Sequence, residues 1–587
     1  MPLRKGIEVS GEKEPVMRIN GFGYRYRGQK GAALQGVDLE IGEGEFVVFM
    51  GPSGAGKSTL CISLNGLIPH FFRGRMQGEV WVRGHSTREG RVGEFAREVG
   101  LVFQDFEAQL FSTNVSLELA FGPENFQVER EEMVRRVERV LKQVHLEGVE
   151  GRQPATLSGG QKQRLAIASV LSIEPRILCL DEPTTDLDPG GKLGVFEIAR
   201  ELKNQDDVTL IVVEHETEEV LDADRIVILR GGEIVADRPA KEILRDVELL
   251  EESSVMPLQV TRFFQKRGVG REQLPLTPEE GAEEFERRGW RVSPGRHQKL
   301  VAADEAREEG YGEPLIEVED LTYRYPNGVI ALQGVSLNIR QGEFVAVLGQ
   351  NGSGKTTLVK HFNGLLKPTE GTVTVAGLDT RKASIAEMAL AVGYIFQNPD
   401  AQIFKMKVEE ELAFGPQNVG LSKEEVDRRI KEAAEDLEIS HLMDKNPFFL
   451  SKGEKQRVAV AAVMAMHPDI LVLDEPTTGQ DFKRSREIMD LAVRLHEEGQ
   501  TVVVITHDMN LAAEYCDRVV IMDGGRVALD APTREAFLAK DELEASSLRP
   551  PQVTVLGQKL GYPQAWLTVD EAVETLGGAR RGAAGGV

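Results

Sequence analysis

Residues 46–59 read FVVFMGPSGAGKST: five apolar residues, a glycine-rich turn, then Lys57, Ser58 and Thr59. A short continuous apolar run suits a strand buried on both faces of a parallel sheet. The turn fits G-x-x-x-x-G-K-[ST] over residues 51–58. In that pattern glycines let backbone N–H groups turn inward around phosphate oxygens, and the start of the following helix adds partial positive charge. Gly51, Gly54 and Gly56 thus frame a phosphate cradle, and Thr59 closes it. Lys57 can reach the β- and γ-phosphates, and Ser58 offers a hydroxyl to Mg²⁺. The chain does this twice. Residues 344–357 read FVAVLGQNGSGKTT, with Gly349, Gly352, Gly354, Lys355, Thr356 and Thr357 in the same order. One such match can be a turn with an incidental lysine; two with shared downstream partners are not.

Those partners repeat as well. FQDFEAQLF (103–111) returns as FQNPDAQIF (396–404), and AFGPEN (120–125) as AFGPQN (413–418). LSGGQKQR (157–164) returns as LSKGEKQR (450–457), and LDEPTT (180–185) as LDEPTT (473–478). The loop lysines lie 298 residues apart and the later motifs 293, about half of the 587-residue chain. The match extends to PLQVTRFFQKRG (257–268) and PPQVTVLGQKLG (550–561). The chain is therefore a duplication. Residues 1–15 are expected as a tail, 16–249 as the first α/β domain and 250–285 as its C-terminal extension. Residues 286–313 are expected as a charged, solvated linker, 314–540 as the second domain, and 541–587 as its extension and tail.

Composition narrows the class. With 41% hydrophobic and 28% charged residues the chain reads as globular. No apolar run approaches the roughly 18 residues needed to span a bilayer. The opening MPLRKGIEVSGEKEP lacks an apolar stretch, so no secretory leader is expected. A net charge of −24 repels phosphate backbones, so no nucleic-acid partner is expected. Cys61, Cys179 and Cys516 form no CxxC pair, against a disulfide scaffold, an iron–sulfur domain or a cysteine zinc site.

Further apolar runs at 177–180, 208–213, 470–473 and 502–505 fit more parallel strands. Between the FQ and LS motifs the period becomes helical: Met133, Val137, Val140 and Val144, then Val426, Ile430, Ala433 and Leu437. Ser422 and Glu425 offer a capping box for the second helix. Where the runs 177–180 and 470–473 end, Asp181 and Asp474 can hold Mg²⁺. The adjoining Glu182 and Glu475 suit polarisation of an attacking water.

Together these motifs resemble the ATP-binding-cassette (ABC) ATPases over nearly the whole chain, twice. LSGGQKQR is close to the family signature and LSKGEKQR is a variant of it. The resemblance implies two P-loop NTPase cores of ABC type, each with a helical subdomain, using ATP and Mg²⁺. It implies that Gln104 and Gln397 sense Mg²⁺ and γ-phosphate, and that Asp188 and Asp481 lie in the D-loops. His215 and His507 become the switch histidines, and Tyr26 and Tyr325 the aromatics that stack on adenine. It also implies head-to-tail pairing of the halves. Ser158 and Gly160 would then complete the site built on Lys355, and Ser451 and Gly453 the site built on Lys57.

FQNPDAQIF followed by AFGPQN looks like the ATPases of energy-coupling factor (ECF) importers of vitamins or transition metals. Asp105–Phe106 depart from that pattern where the second half has Asn398–Pro399. The resemblance implies a fused ATPase pair at the cytoplasmic face of the membrane, with a membrane T component and a substrate-binding S component as partners. A tandem translation or ribosome factor and a sugar-importer ATPase are the alternatives. A DNA-repair ATPase would want zinc cysteines or long coiled coils.

Two finer expectations follow. In LSKGE, Lys452 replaces a glycine that could tolerate positive φ, and Glu454 brings a carboxylate near the phosphates, so the two sites should differ. Glu107 and Asp400 recur three residues after Gln104 and Gln397; they are expected as docking acids for arginines of the T component.

Overall fold

The apolar runs become the central strands of two α/β cores. The computed structural model describes residues 15–185, 187–203, 208–396 and 398–576; the side chain of Lys452 is not described. Two compact units result: residues up to 187 with 191–258, and residues 188–190 with 259 onward.

In the first unit a six-stranded sheet runs Glu233–Pro239, Arg225–Arg230, Phe46–Met50, Thr209–Val213, Ile177–Asp181, Val99–Val102. Every pairing is parallel except the first. Phe46–Met50, Thr209–Val213 and Ile177–Asp181 are buried at every residue, which is why they read as unbroken apolar runs. A four-stranded antiparallel sheet, Leu34–Ile41, Met17–Tyr26, Gly74–Val82 and His85–Ser86, packs its apolar face into the same core. The helical insertion is Val115–Asn125 and Arg130–Gln143, the latter burying Val137, Val140 and Leu141.

The second unit repeats this plan. Its six-stranded sheet runs Val392–Ile395, Ile470–Asp474, Thr501–Ile505, Phe344–Leu348, Arg518–Asp523, Arg526–Pro532. Its antiparallel sheet is Ile330–Arg340, Pro314–Arg324, Glu370–Val375 and Leu378–Asp379. The helix Lys423–Asp436 buries Val426, Ile430 and Ala433. The capping box expected before it is half formed. Ser422 accepts the Glu425 N–H, but the Glu425 carboxylate turns to Arg428 and Arg429.

From residue 259 on, the first C-terminal extension lies in this unit with the second. Helices Gln259–Lys266 and Pro278–Arg287 share one apolar core with Gln552–Lys559 and Val569–Thr575. The pairing is reciprocal. Gln259 Oε1 accepts the Val553 N–H at 3.2 Å, and Gln552 Oε1 accepts the Val260 N–H at 3.3 Å. Thr261 and Thr554 each donate to a backbone carbonyl, of Pro275 and Trp566. The glutamine of the repeated triplet Gln-Val-Thr thus joins one extension to the other, while its threonine ties each extension to itself.

Residues 286–313, expected as a linker, are largely exposed but ordered. They contain a 16-residue helix, Pro294–Glu309, held by ion pairs from Arg307 to Asp517 and from Asp304 to Arg534. Charge density alone does not reveal that the facing surface carries complementary charges.

Candidate functional site

Parallel strands bring their C-terminal ends to one edge, where loops can converge on a ligand. In the first unit Phe46–Met50 feeds the turn that opens helix Lys57–Leu64. Gly51 has φ 136°, and a Cβ there would lie 2.0 Å from the Leu229 carbonyl, so only glycine fits. Lys57 Nζ spans the turn, donating to the carbonyls of Gly51 at 2.8 Å and Pro52 at 3.1 Å. The second unit repeats this at Gly349, whose Cβ would lie 2.2 Å from the Met522 carbonyl. Lys355 Nζ donates to Gly349 and Gln350, both at 2.8 Å. Burial lowers its pKa despite nearby carboxylates.

The hydroxyl after each lysine meets the carboxylate at the neighbouring strand end. Ser58 Oγ donates to Asp181 Oδ1 at 3.1 Å, and Thr356 Oγ1 to Asp474 Oδ1 at 3.3 Å. Burial raises both aspartates, Asp181 to about 6. Thr59 and Thr357 have a second task. Tyr26 Oη lies 3.2 Å from Thr59 Oγ1, and Tyr325 Oη 3.1 Å from Thr357 Oγ1, so each aromatic is fixed to its own phosphate loop.

Glu182 and Glu475 adopt φ of 49° and 47°, a left-handed conformation that costs a non-glycine residue energy and concentrates at functional sites. In the first unit Gln104 Nε2 donates to Glu182 Oε2 at 2.7 Å, and His215 Nε2 lies 2.9 Å from Glu182 Oε1. In the second, His507 Nδ1 stands 3.8 Å from Glu475 Oε2. Burial would raise Glu475, but the neighbouring His507, with Lys355, holds its pKa below the usual glutamate value. Gln397 lies outside the described residues.

The family model described as ABC transporter matches residues 34–185 and again 332–478. The chain belongs to the ABC transporter family. An ABC transporter ATP-binding protein of Caldanaerobacter subterraneus subsp. tengcongensis is 51% identical over 94% of this chain and 98% of its own length. Another, from Methanosarcina acetivorans, is 41% identical over 93% and 90%. Among solved structures, cbiO1 from Clostridium perfringens, part of the ABC transporter complex cbiONQ, is similar at 39% identity. It covers 41% of this chain and 97% of its own, with a TM-score of 0.37.

This ABC ATPase binds and hydrolyses ATP with Mg²⁺. The residues present fit the ion: a hydroxyl and a carboxylate in each half are hard oxygen donors, and Mg²⁺ takes few protein ligands when phosphates supply the rest. Ser58 with Asp181, and Thr356 with Asp474, would hold it. Bound there, it neutralises charge on the phosphates.

The signature serines lie elsewhere. Ser158 caps helix Gly159–Leu171 and Ser451 caps Lys452–Met464; Gly160 and Gly453 lie in their first turns. Among the described residues, neither serine bonds to the phosphate loop of its own ABC cassette. Lys452 opens its helix as Gly159 opens the other, and both belong to helical backbone. The positive-φ reason for glycine at that place is therefore overturned. The neighbouring acid does make a difference. Ser451 Oγ donates to Glu454 Oε2 at 2.8 Å, so its one proton is engaged. At the matching place Gln161 Oε1 accepts only the backbone N–H of Ser158, at 3.1 Å.

Two features escaped the sequence. Tyr394 Oη donates to Asp474 Oδ2 at 2.5 Å from inside a buried strand; a tyrosine amid Val-Gly-Ile was the available signal. Buried Glu214, beside His215, accepts from Thr184 at 2.7 Å. The two acids expected to dock have partners in their own cassettes. Glu107 pairs with Lys162 at 2.8 Å and Asp400 with Lys455 at 2.6 Å.

Proposed function

We propose that this chain is the fused ATPase pair that powers an ECF-type importer from the cytoplasmic membrane face. In each composite site the phosphate loop, Tyr and Asp of one half bind MgATP. Ser and Gly of the other half's signature close over it. Glu182 and Glu475 polarise the attacking water, and His215 and His507 orient it. Gln104 and Gln397 report the γ-phosphate.

The observation that carries the importer class is the meeting of two sequence motifs on the surface. Phe111 ends FQDFEAQLF and Phe121 belongs to AFGPEN; their rings pack edge to face at 4.6 Å and stay 63% and 47% exposed. Phe404 and Phe414 do the same at 4.7 Å, with 53% and 37% exposed. Exposed apolar pairs beside a nucleotide-sensing glutamine suit a docked helix. Its occupant is a cytoplasmic helix of a T component. With Glu107 and Asp400 already paired within the cassettes, the aromatic pairs carry the docking.

The test is purification of Phe121→Ser, Phe414→Ser protein beside wild type from membranes. Wild type should bring down a T and an S component, with a vitamin or metal identified by mass spectrometry. The variant should lose them by at least tenfold with ATP affinity unchanged. Equal recovery of the membrane subunits, or co-purification of wild type with ribosomes, would overturn the proposal.

A further inference from the structure

The first half carries five more residues than the second between its phosphate loop and its FQ motif, the difference between the 298- and 293-residue offsets. The extra length falls in IPHFFRGRMQG (68–78), where the second half has LKPTEG (366–371). It leads into strand Gly74–Val82, which pairs with Met17–Tyr26 and sets Arg25 directly opposite Arg75. Like charges in that position repel and weaken a sheet. Arg27 and Arg73 join them around a cavity of about 400 Å³ that also reaches Tyr26 and contains no acidic residue.

In a chain of net charge −24 such a group is against the odds. Among the described residues none of these four arginines has a carboxylate within 4.0 Å, whereas Arg18, Arg225 and Arg534 each have one. In the second half the positions of Arg25 and Arg27 hold Arg324 and Pro326, and the shorter LKPTEG that replaces the Arg73–Arg75 segment has no arginine. There one arginine remains, turned to the Gly328 carbonyl.

We propose that Arg25, Arg27, Arg73 and Arg75 form an anion site on the first cassette for a multiply charged, phosphate-bearing ligand. Guanidinium groups are planar, permanently charged and matched to phosphate oxygens in pairs, and several facing one cavity attract dianions and higher charges. Bound phosphate would remove the Arg25–Arg75 repulsion and tighten the strand pair that carries Tyr26. The ligand is a free oligophosphate compound or an anionic lipid headgroup. Phe71, 73% exposed beside this strand, gives the second source a foothold.

The test uses the full chain with Mg²⁺ and adenylyl imidodiphosphate saturating, so that the phosphate loops are filled. Tripolyphosphate is titrated by calorimetry, and flotation is measured with phosphatidylglycerol against phosphatidylcholine vesicles. Wild type should bind one or both anionic probes. Arg73→Ser, Arg75→Ser should bind at least tenfold more weakly, and each single variant should fall between. An equal loss of charge at Arg130→Ser, Arg135→Ser should leave binding unchanged. Tripolyphosphate binding points to a soluble ligand; phosphatidylglycerol binding alone points to the membrane. Failure of wild type to bind either probe, or equal weakening by the control variant, overturns the proposal.

Discussion

Ser451 and Ser158 occupy the same place in the repeat, yet only Ser451 gives its proton to a side chain three residues on. A hydrogen bond to a charged acceptor contributes about 1.5–3 kcal/mol, so a phosphate competing for that hydroxyl must first displace Glu454. The Ser451 N–H holds the Glu454 pKa down, so the carboxylate stays ionised at neutral pH. Glu454→Gln recreates the amide that half 1 has in Gln161. It should tighten MgATP binding by about 1 kcal/mol, roughly fivefold, read by nucleotide titration. Unchanged or weaker binding would mean that the serine is not the limiting contact. The residues proposed to hold phosphate were legible because their spacing is local: four residues from glycine to glycine, then lysine and a hydroxyl. Tyr394 over Asp474, and Lys162 beside Glu107, were not, because those pairs lie 80 and 55 residues apart. Only the sheet and the signature helix bring them together.

Among the elements, the helix Pro294–Glu309 places His297 against the Tyr562 ring at 4.9 Å, 8% exposed, with neither ring nitrogen hydrogen-bonded among the described residues. Burial, then Arg534, lowers its pKa, while Glu571 and Asp304 oppose the shift less strongly. A histidine with a depressed folded pKa is protonated first in the unfolded chain. Its share of stability is present above the unfolded pKa near 6.5 and is lost as pH falls below that value. The melting temperature of the second unit should therefore drop between pH 7 and pH 5, and His297→Phe should drop less over that window. Parallel slopes for the two proteins would assign the pH dependence to other groups. This helix was missed in the sequence because it has little apolar periodicity, burying only His297. Its hold comes from charges on distant elements. The strands were legible because burial on both faces leaves no polar residue to break the run.

For the molecule as a whole, duplication makes two sites that share a plan and differ in detail. The signature expected to serve Lys355 is LSGGQ, with a free serine proton; the one expected to serve Lys57 is LSKGE. Catalytic work should fall mainly on the first, so Glu475→Gln should lower ATP turnover more than Glu182→Gln. The double variant should retain MgATP binding with hydrolysis reduced by at least a hundredfold. Equal losses from the single variants would mean that Glu454 has no influence on turnover.

The reciprocal glutamine pairing of Gln259 with Gln552 is the geometry of two identical partners meeting across a twofold axis, now written into one polypeptide. Covalent continuity between the halves is then a convenience rather than the sole bond. A protease site introduced at Gly310 should yield two fragments that elute together in gel filtration, clasped by the helices around Phe263 and Trp566. Phe263→Asp with Trp566→Asp should let them separate. What a homodimer would bury between two chains, this chain buries within one.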